Sequence, residues 1–216
     1  MTNDPSKPRR AKPRLALSRE RIAEAAFQIV HAEGLAALSA RRLATTLQCE
    51  AMSIYHHAPN MDAVLDDIVD RLLSLLALPT HESRNPRRDL LTLSRGFLDL
   101  ADRHPHVFVV AVSRRWTTPT AYALAQASVS LFQSAGAPQR AALRNARILG
   151  AYLGGAGSAL AGWRLSHGDP GTEKHRALDA AAPKLRRQST LGNVRRDLDL
   201  GLGVVIDALL QREKRQ

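Results

Sequence analysis

Residues 38–65 read LSARRLATTLQCEAMSIYHHAPNMDAVL, and this stretch decides the fold. Ser39 is a good helix N-cap, since its hydroxyl can accept from the free backbone N–H groups of a first turn. Leu38 and Leu43 flank it at the spacing of a hydrophobic staple. Leu43, Ala44 and Leu47 give one apolar face at helical period. Gln48-Cys49-Glu50 is a short polar break, and a second short helix is expected over Ala51 to His57 with Ile54 as its inward anchor. Two short helices joined by a tight turn bury one face each. The outer face of the second is left free, and a DNA major groove admits one α-helix.

Composition sets the limits around that segment. The chain has 216 residues, of which 44% are hydrophobic, enough for one or two compact domains with a real core. The net charge of +11 and a pI near 10.9 point to an anionic partner, without separating DNA from RNA or an acidic membrane. One cysteine excludes an intramolecular disulfide framework and suits a reducing cytoplasm. The N-terminus lacks the apolar region of a signal peptide. The longest low-charge run, Ile148 to Trp163, is shorter than the roughly 20 apolar residues a membrane span needs, and it reads as a buried helix.

In chain order, residues 1–17 form a basic, proline-interrupted arm carrying Lys7, Arg9, Arg10, Lys12 and Arg14. Such an arm cannot bury enough apolar surface to order itself. It is either a DNA-contacting arm or a solvated tail. Residues 18–60 read as a three-helix head: Ser18 caps a first helix, with Leu17 and Ile22 as its staple, Ile22, Ala25, Ala26, Ile29 and Val30 inside, and Gly34 as its left-handed terminator. Asn60 caps a connecting helix over 61–78, stopped by Pro79. Residues 79–216 read as a second all-helical unit, after a polar junction at Thr80 to Asn85. Its helices are expected over Pro86 to Arg103, Pro105 to Arg115, Pro119 to Ala135, Pro138 to Trp163, Glu173 to Gln188 and Asn193 to Arg212. Val107 to Val112 is β-rich by propensity, but it lacks a partner strand and is taken as a buried helix. The fold class is therefore all-α.

Leu43-Ala44, Leu47, Ile54-Tyr55-His56-His57, Asn60 and Leu65, with Gly34 upstream and the Arg41-Arg42 pair, resemble the DNA-binding head of the tetracycline repressor family of bacterial transcription regulators. The likeness covers Ser18 to about Leu78, and DLDLGLGVVIDALL near the C-terminus is more loosely similar to the final helix of the tetracycline repressor subgroup. Two positions depart from the family pattern. Gln48 stands where a glycine is usual, so a positive φ there costs strain. Met61 stands where a phosphate-touching lysine is common, so that contact is missing.

The resemblance implies a set of DNA-facing residues: Ser39, Arg41, Arg42, Ala51, Met52, Ser53, Tyr55 and His56. Ala51 and Met52 offer apolar surface to a thymine methyl, and Ser53 discriminates poorly. Arg41 is the first choice for base specificity, because arginine paired to guanine O6 and N7 is worth roughly 1–3 kcal/mol. Arg42 is left to phosphate or solvent. Tyr55 and His56 are read as backbone contacts, with a core aromatic and a half-buried pair as alternatives; His57 is read as packing and Cys49 as a small buried residue.

The same likeness implies a homodimer on double-stranded DNA, bound to a palindromic operator, and a small-molecule effector in the C-terminal unit. Gly150, Gly154, Gly155 and Gly157 with Ala151, Ala156 and Ala159, and Gly201 with Gly203, offer helix surfaces without bulk. These fit either a subunit interface or close packing within one chain. Phe97, His104, Phe108, Trp116, Tyr122 and Phe132 are the candidate pocket residues, joined by Trp163, with His106, Arg114 and Arg115 as possible orienting groups. No cofactor, metal or membrane is expected.

Enzymatic readings find little footing. His104-Pro105-His106 has no third ligand at diagnostic spacing. Gly154-Gly155-Ala156-Gly157 is not followed by Gly-Lys-Ser/Thr, and no Gly-x-Ser-x-Gly elbow occurs. The stronger rival to a sequence-specific regulator is a charge-driven, non-specific nucleic-acid binder.

Overall fold

The computed structural model describes residues 16–79, 83–167 and 190–213. The basic arm, apart from its last two residues, the junction at 80–82 and the helix expected over Glu173 to Gln188 lie outside the described residues.

The architecture is all-α. The head comprises α1 (Arg19–Glu33), a single 3₁₀ turn (Leu35–Ala37), α2 (Ala40–Leu47) and α3 (Ala51–Tyr55). Helix α4 (Met61–Leu73) leads out of it. The body follows as α5 (Pro86–Arg103), α6 (Pro105–Val112), α7 (Pro119–Ser134), α8 (Gln139–His167) and α9 (Leu191–Glu213).

Local chemistry explains most of the boundaries. Ser18, Ser39, Asn60, Asn85 and Thr118 each accept a backbone N–H with the side-chain oxygen at the start of α1, α2, α4, α5 and α7. Pro86, Pro105 and Pro119 stand at first helical positions, where the missing N–H costs nothing. Residues 107–112 are helical in spite of their β propensity. Val107, Phe108, Val110 and Ala111 are all buried, so tertiary packing overrides the local preference.

Four expectations about local structure need correction. Gly34 closes α1 with φ 84° and ψ 171°, so its positive φ is as expected but its ψ is extended rather than left-handed helical. Helix α3 ends at Tyr55, two residues before His57, and His57 is exposed rather than packed. Helix α4 ends at Leu73, well short of Pro79. At that end the Ser74 Oγ donates to the Arg71 carbonyl at 2.8 Å. Helix α8 is only half-buried over 148–163: Leu149, Leu153, Ala156 and Leu160 point inward, while Ile148, Gly150, Ala151 and Gly155 are exposed.

The core runs without a break from head to body. In the head it is built from Ile22, Ala26, Phe27 and Val30 of α1, Leu43 of α2 and Ile54 of α3, closed by Val64, Ile68 and Leu72 of α4. Helix α4 lies against α1 on one side and α6 and α7 on the other, so it belongs to both layers. In the body, α8 is the central helix, packed by α5, α6, α7 and α9. Arg87 pairs with Asp207 and Arg95 with Asp199, tying α5 to α9. No helix among the described residues is long and apolar enough to cross a membrane.

Candidate nucleic-acid interface

Helices α2 and α3 are held by their inner faces. Leu43 and Ile54 are fully buried, and Ala44 nearly so. The link between them is a tight left-handed turn. Gln48 adopts φ 55° and ψ 45°, the only positive φ at a non-glycine among the described residues. It allows the Cys49 N–H to reach the Ala44 carbonyl at 3.0 Å, the closing bond of a Schellman motif. A residue with a Cβ costs roughly 1–2 kcal/mol in this conformation, and Gln48 bears that cost where glycine would not. Cys49, expected to be buried, is only partly so.

With the inner faces fixed, the outer surface is free. Met52 is 67% exposed, and Tyr55 and His56 are exposed beside it. Ala51 and Ser53 are half-buried at the shoulders of α3. Arg41 is exposed in the first turn of α2. The Ser39 hydroxyl accepts from the Arg42 N–H at 3.2 Å, so its capping duty is met. Arg42 Nη2 donates to Glu33 Oε1 at 2.7 Å, with both side chains about half exposed. Such a pair is worth at most about 1 kcal/mol, so Glu33 holds Arg42 in place without locking it away from a phosphate. The eight residues singled out for DNA therefore lie along one edge of α2 and on the outer side of α3, with Arg42 already engaged by α1.

The candidate pocket residues do not come together as a set. Phe97, Phe108 and Trp116 do: ring centroids of Phe97 lie 5.2 Å from Phe108 and 5.8 Å from Trp116. Phe97 and Trp116, with Val112, Arg114, Gly150, Ala151, Gly154, Gly155 and Ser158, line a cavity of about 410 Å³ between α5, the α6–α7 loop and α8. Phe108 sits behind it, its ring filling the space that a side chain at Gly157 would need. The other three fall elsewhere. Tyr122 is 73% exposed on α7, and Phe132 is wholly buried in the core. His104 turns to the head, where its Nδ1 faces His31 Nδ1 at 3.4 Å. His106 packs on Gly34 and is likewise no part of the cavity. A larger groove of about 700 Å³ runs along the outer side of α7, lined by Leu78, Gln126, Ser130 and Ser134 among others, and holds none of the expected pocket residues.

Arg114 is where cavity and head meet, a role that spacing in the sequence did not reveal. It lines the cavity, yet its guanidinium points into α4. Nε and Nη2 donate to Asp66 Oδ1 at 3.1 and 2.8 Å, and Nη1 donates to Asp62 Oδ1 at 3.1 Å. Its hydrogen bond to Asp66, more than any other influence, holds its charge beyond the usual arginine range. Asp62 and Asp66 occupy the first two turns of α4, directly after the Asn60 cap. Among the described residues no three His, Cys, Asp or Glu side chains converge as a metal site.

The glycines sort into two groups. At Gly157 a Cβ would collide with Phe108, and at Gly201 with the Tyr152 hydroxyl, which itself donates to the Leu198 carbonyl at 2.7 Å. These two serve packing within the chain. Gly150, Gly154, Gly155 and Gly203 have open space over them. Leu200 and Val204 of α9 are 70% and 64% exposed, and Leu143 and Ile148 of α8 are exposed as well.

No protein-family model matches the chain. It is 29% identical over 160 residues to an HTH-type transcriptional regulator of Saccharopolyspora erythraea, an alignment covering 74% of this chain and 67% of that protein. It is 36% identical over 117 residues to the HTH-type transcriptional repressor DrrR1 of Streptomyces coeruleorubidus, spanning 50% of this chain and 41% of the relative. Among solved structures, apo ActR from Streptomyces coelicolor superposes with a TM-score of 0.71 at 25% identity, covering 92% of this chain and 99% of ActR. The same TetR family protein in complex with actinorhodin superposes with a TM-score of 0.72. The helical order, the turn at Gln48 with its free-faced α3, and these relatives agree: the chain is a DNA-binding helix-turn-helix transcriptional regulator similar to those of the tetracycline repressor family.

Proposed function

We propose that the protein is a repressor that binds a palindromic operator as a homodimer and leaves it when a small molecule occupies the body. The observation that carries this reading is α3: Ile54 is fully buried while Met52, Tyr55 and His56 on the other side are exposed and uncommitted. Such a helix reads base edges in a major groove, and the basic side chains around it supply the phosphate contacts that dominate affinity. One head covers a few base pairs only. Two heads on a two-fold axis read half-sites about 34 Å apart, or a multiple of that.

Leu143 and Ile148 of α8 and Leu200 and Val204 of α9, large apolar side chains left exposed, support pairing through the body. The cavity beside Phe97 and Trp116 supports the effector. Its glycine floor and aromatic wall suit a flat, largely apolar ring compound, and ActR, of similar fold, has been solved with actinorhodin. A ligand there touches Arg114, and Arg114 holds the start of α4. An effector that fits one setting of that helix better than the other shifts the dimer between two head spacings.

Selection of bound duplexes from a random pool, at fixed salt, tests the reading. A shared palindrome is expected. Equal retention of all sequences, with the same steep salt dependence, would instead establish the charge-driven binder that a net charge of +11 allows.

A further inference from the structure

His31 and His104 meet where the head joins the body. His31 lies in the last turn of α1, and His104 is the single residue between α5 and α6. Their Nδ1 atoms are 3.4 Å apart and their ring centroids 4.8 Å. Phe27 of α1 covers both, 5.3 Å from the His104 ring at an edge-on angle and 6.2 Å from His31. Just beyond, a Cβ at Gly34 would come within 3.3 Å of His106 Nδ1, so backbone and ring are in close contact there too. The two imidazoles thus pin the end of α1, and the turn that leads to Ser39, onto the α5–α6 corner.

The charged surroundings of the pair are mostly cationic. From α4, the Arg71 guanidinium stands 5.9 Å from the centre of the Phe27 ring and pairs with Glu24 of α1 at 2.9 Å. From α5, Arg103 precedes His104 directly, and from α6 comes His106. On α1, Glu33 is taken by Arg42. Burial above all, then His31, Arg103 and Arg71, hold His104 below the usual histidine range. Among the described residues no third ligand converges on the pair, so the proton is the relevant cation.

A bond between two imidazole nitrogens needs one proton on one of them. The neutral pair meets this, with one ring donating and the other accepting, and so does the pair with one added proton; only protonation of both rings removes the acceptor. When both rings are doubly protonated, two N–H donors face each other and two positive charges sit beside Arg71 and Arg103. We propose that the His31–His104 pair is a proton-operated latch, closed while the acceptor nitrogen is bare and opened when the pair takes up protons in mild acid, releasing the end of α1 from the body. The sign follows from the depressed His104: the folded latch favours the neutral form. Its contribution is complete above the ordinary histidine value and declines as the pH falls through and below it.

Hydrogen exchange of the full-length chain tests this, read by mass spectrometry on peptides covering residues 27–38, at about pH 7.5 and about pH 5.5, with rates corrected for intrinsic exchange. In the wild-type protein, protection of these peptides is expected to fall in acid by several-fold, up to the about tenfold that uptake of one proton can give, while peptides from α8 keep theirs. His104→Phe, which keeps an aromatic ring beside Phe27 but holds no proton, is expected to cut the acid response to about twofold or less. His31→Gln, which keeps a hydrogen-bonding group opposite His104 but no imidazole, gives a second and independent reading should the first variant fold poorly. An acid response as large in either folded variant as in the wild type, or no response in the wild type, would overturn the latch.

Discussion

Replacing Arg114 by methionine keeps most of its apolar stem against the cavity and removes the guanidinium that grips α4. Three of its N–H groups bond to the Asp62 and Asp66 carboxylates, and its side chain is 23% exposed. The carboxylates left behind are more open, with side chains 78% exposed for Asp62 and 37% for Asp66, so both regain water. The loss should therefore fall between an exposed pair and a buried one, about 1–2 kcal/mol rather than 3–5. For a chain of this size that is about 2–8 °C in the melting temperature. Asp66→Asn should cost less alone, because Arg114 keeps Asp62. In the double variant the two changes should fall short of additive by about 0.5–1 kcal/mol, the signature of a direct contact. Melting curves of the four proteins supply the cycle. Strict additivity, within about 0.3 kcal/mol, would mean that Arg114 does not hold α4, and the proposed path from cavity to head would lose its first link.

Arg41→Ala should weaken binding to the selected palindrome by roughly 1–3 kcal/mol, about 5- to 150-fold, and change binding to scrambled duplex far less, as read by anisotropy titration at fixed salt. Gln48→Gly should raise the melting temperature, by about 0.5–1 kcal/mol of stability, since the φ of 55° no longer strains a side chain and part of the gain is offset by the freer unfolded chain. Leu200→Glu with Val204→Glu should leave the helical signal unchanged and shift the mass in light scattering from two chains to one, because both positions are exposed on the open side of α9.

Much of the fold was legible because its boundaries are local. Ser18, Ser39 and Asn60 cap helices with their own side chains, and Pro86, Pro105 and Pro119 start them; such signals need no knowledge of the rest of the chain. The strained turn at Gln48 was legible from a glycine missing where the family has one. What escaped depended on distant partners. His104 looked like a pocket residue, and only the folded chain shows His31, 73 positions earlier, opposite its ring. Gly154 and Gly157 look alike in sequence, yet one is open and the other is filled by Phe108. Aromatic character alone grouped Tyr122 and Phe132 with Phe97, although one faces solvent and the other the core. The early end of α4, at Leu73 in a run of leucines that otherwise reads as helix, left no signal in the local sequence.

The most direct measurement is the stoichiometry and sequence preference of the purified chain on DNA, taken together by titration and light scattering at one salt concentration. Two chains should bind one palindromic duplex, at least about a thousandfold more tightly than a scrambled duplex of equal length. A single chain on the palindrome, or equal affinity for both duplexes, would contradict a paired, base-reading head.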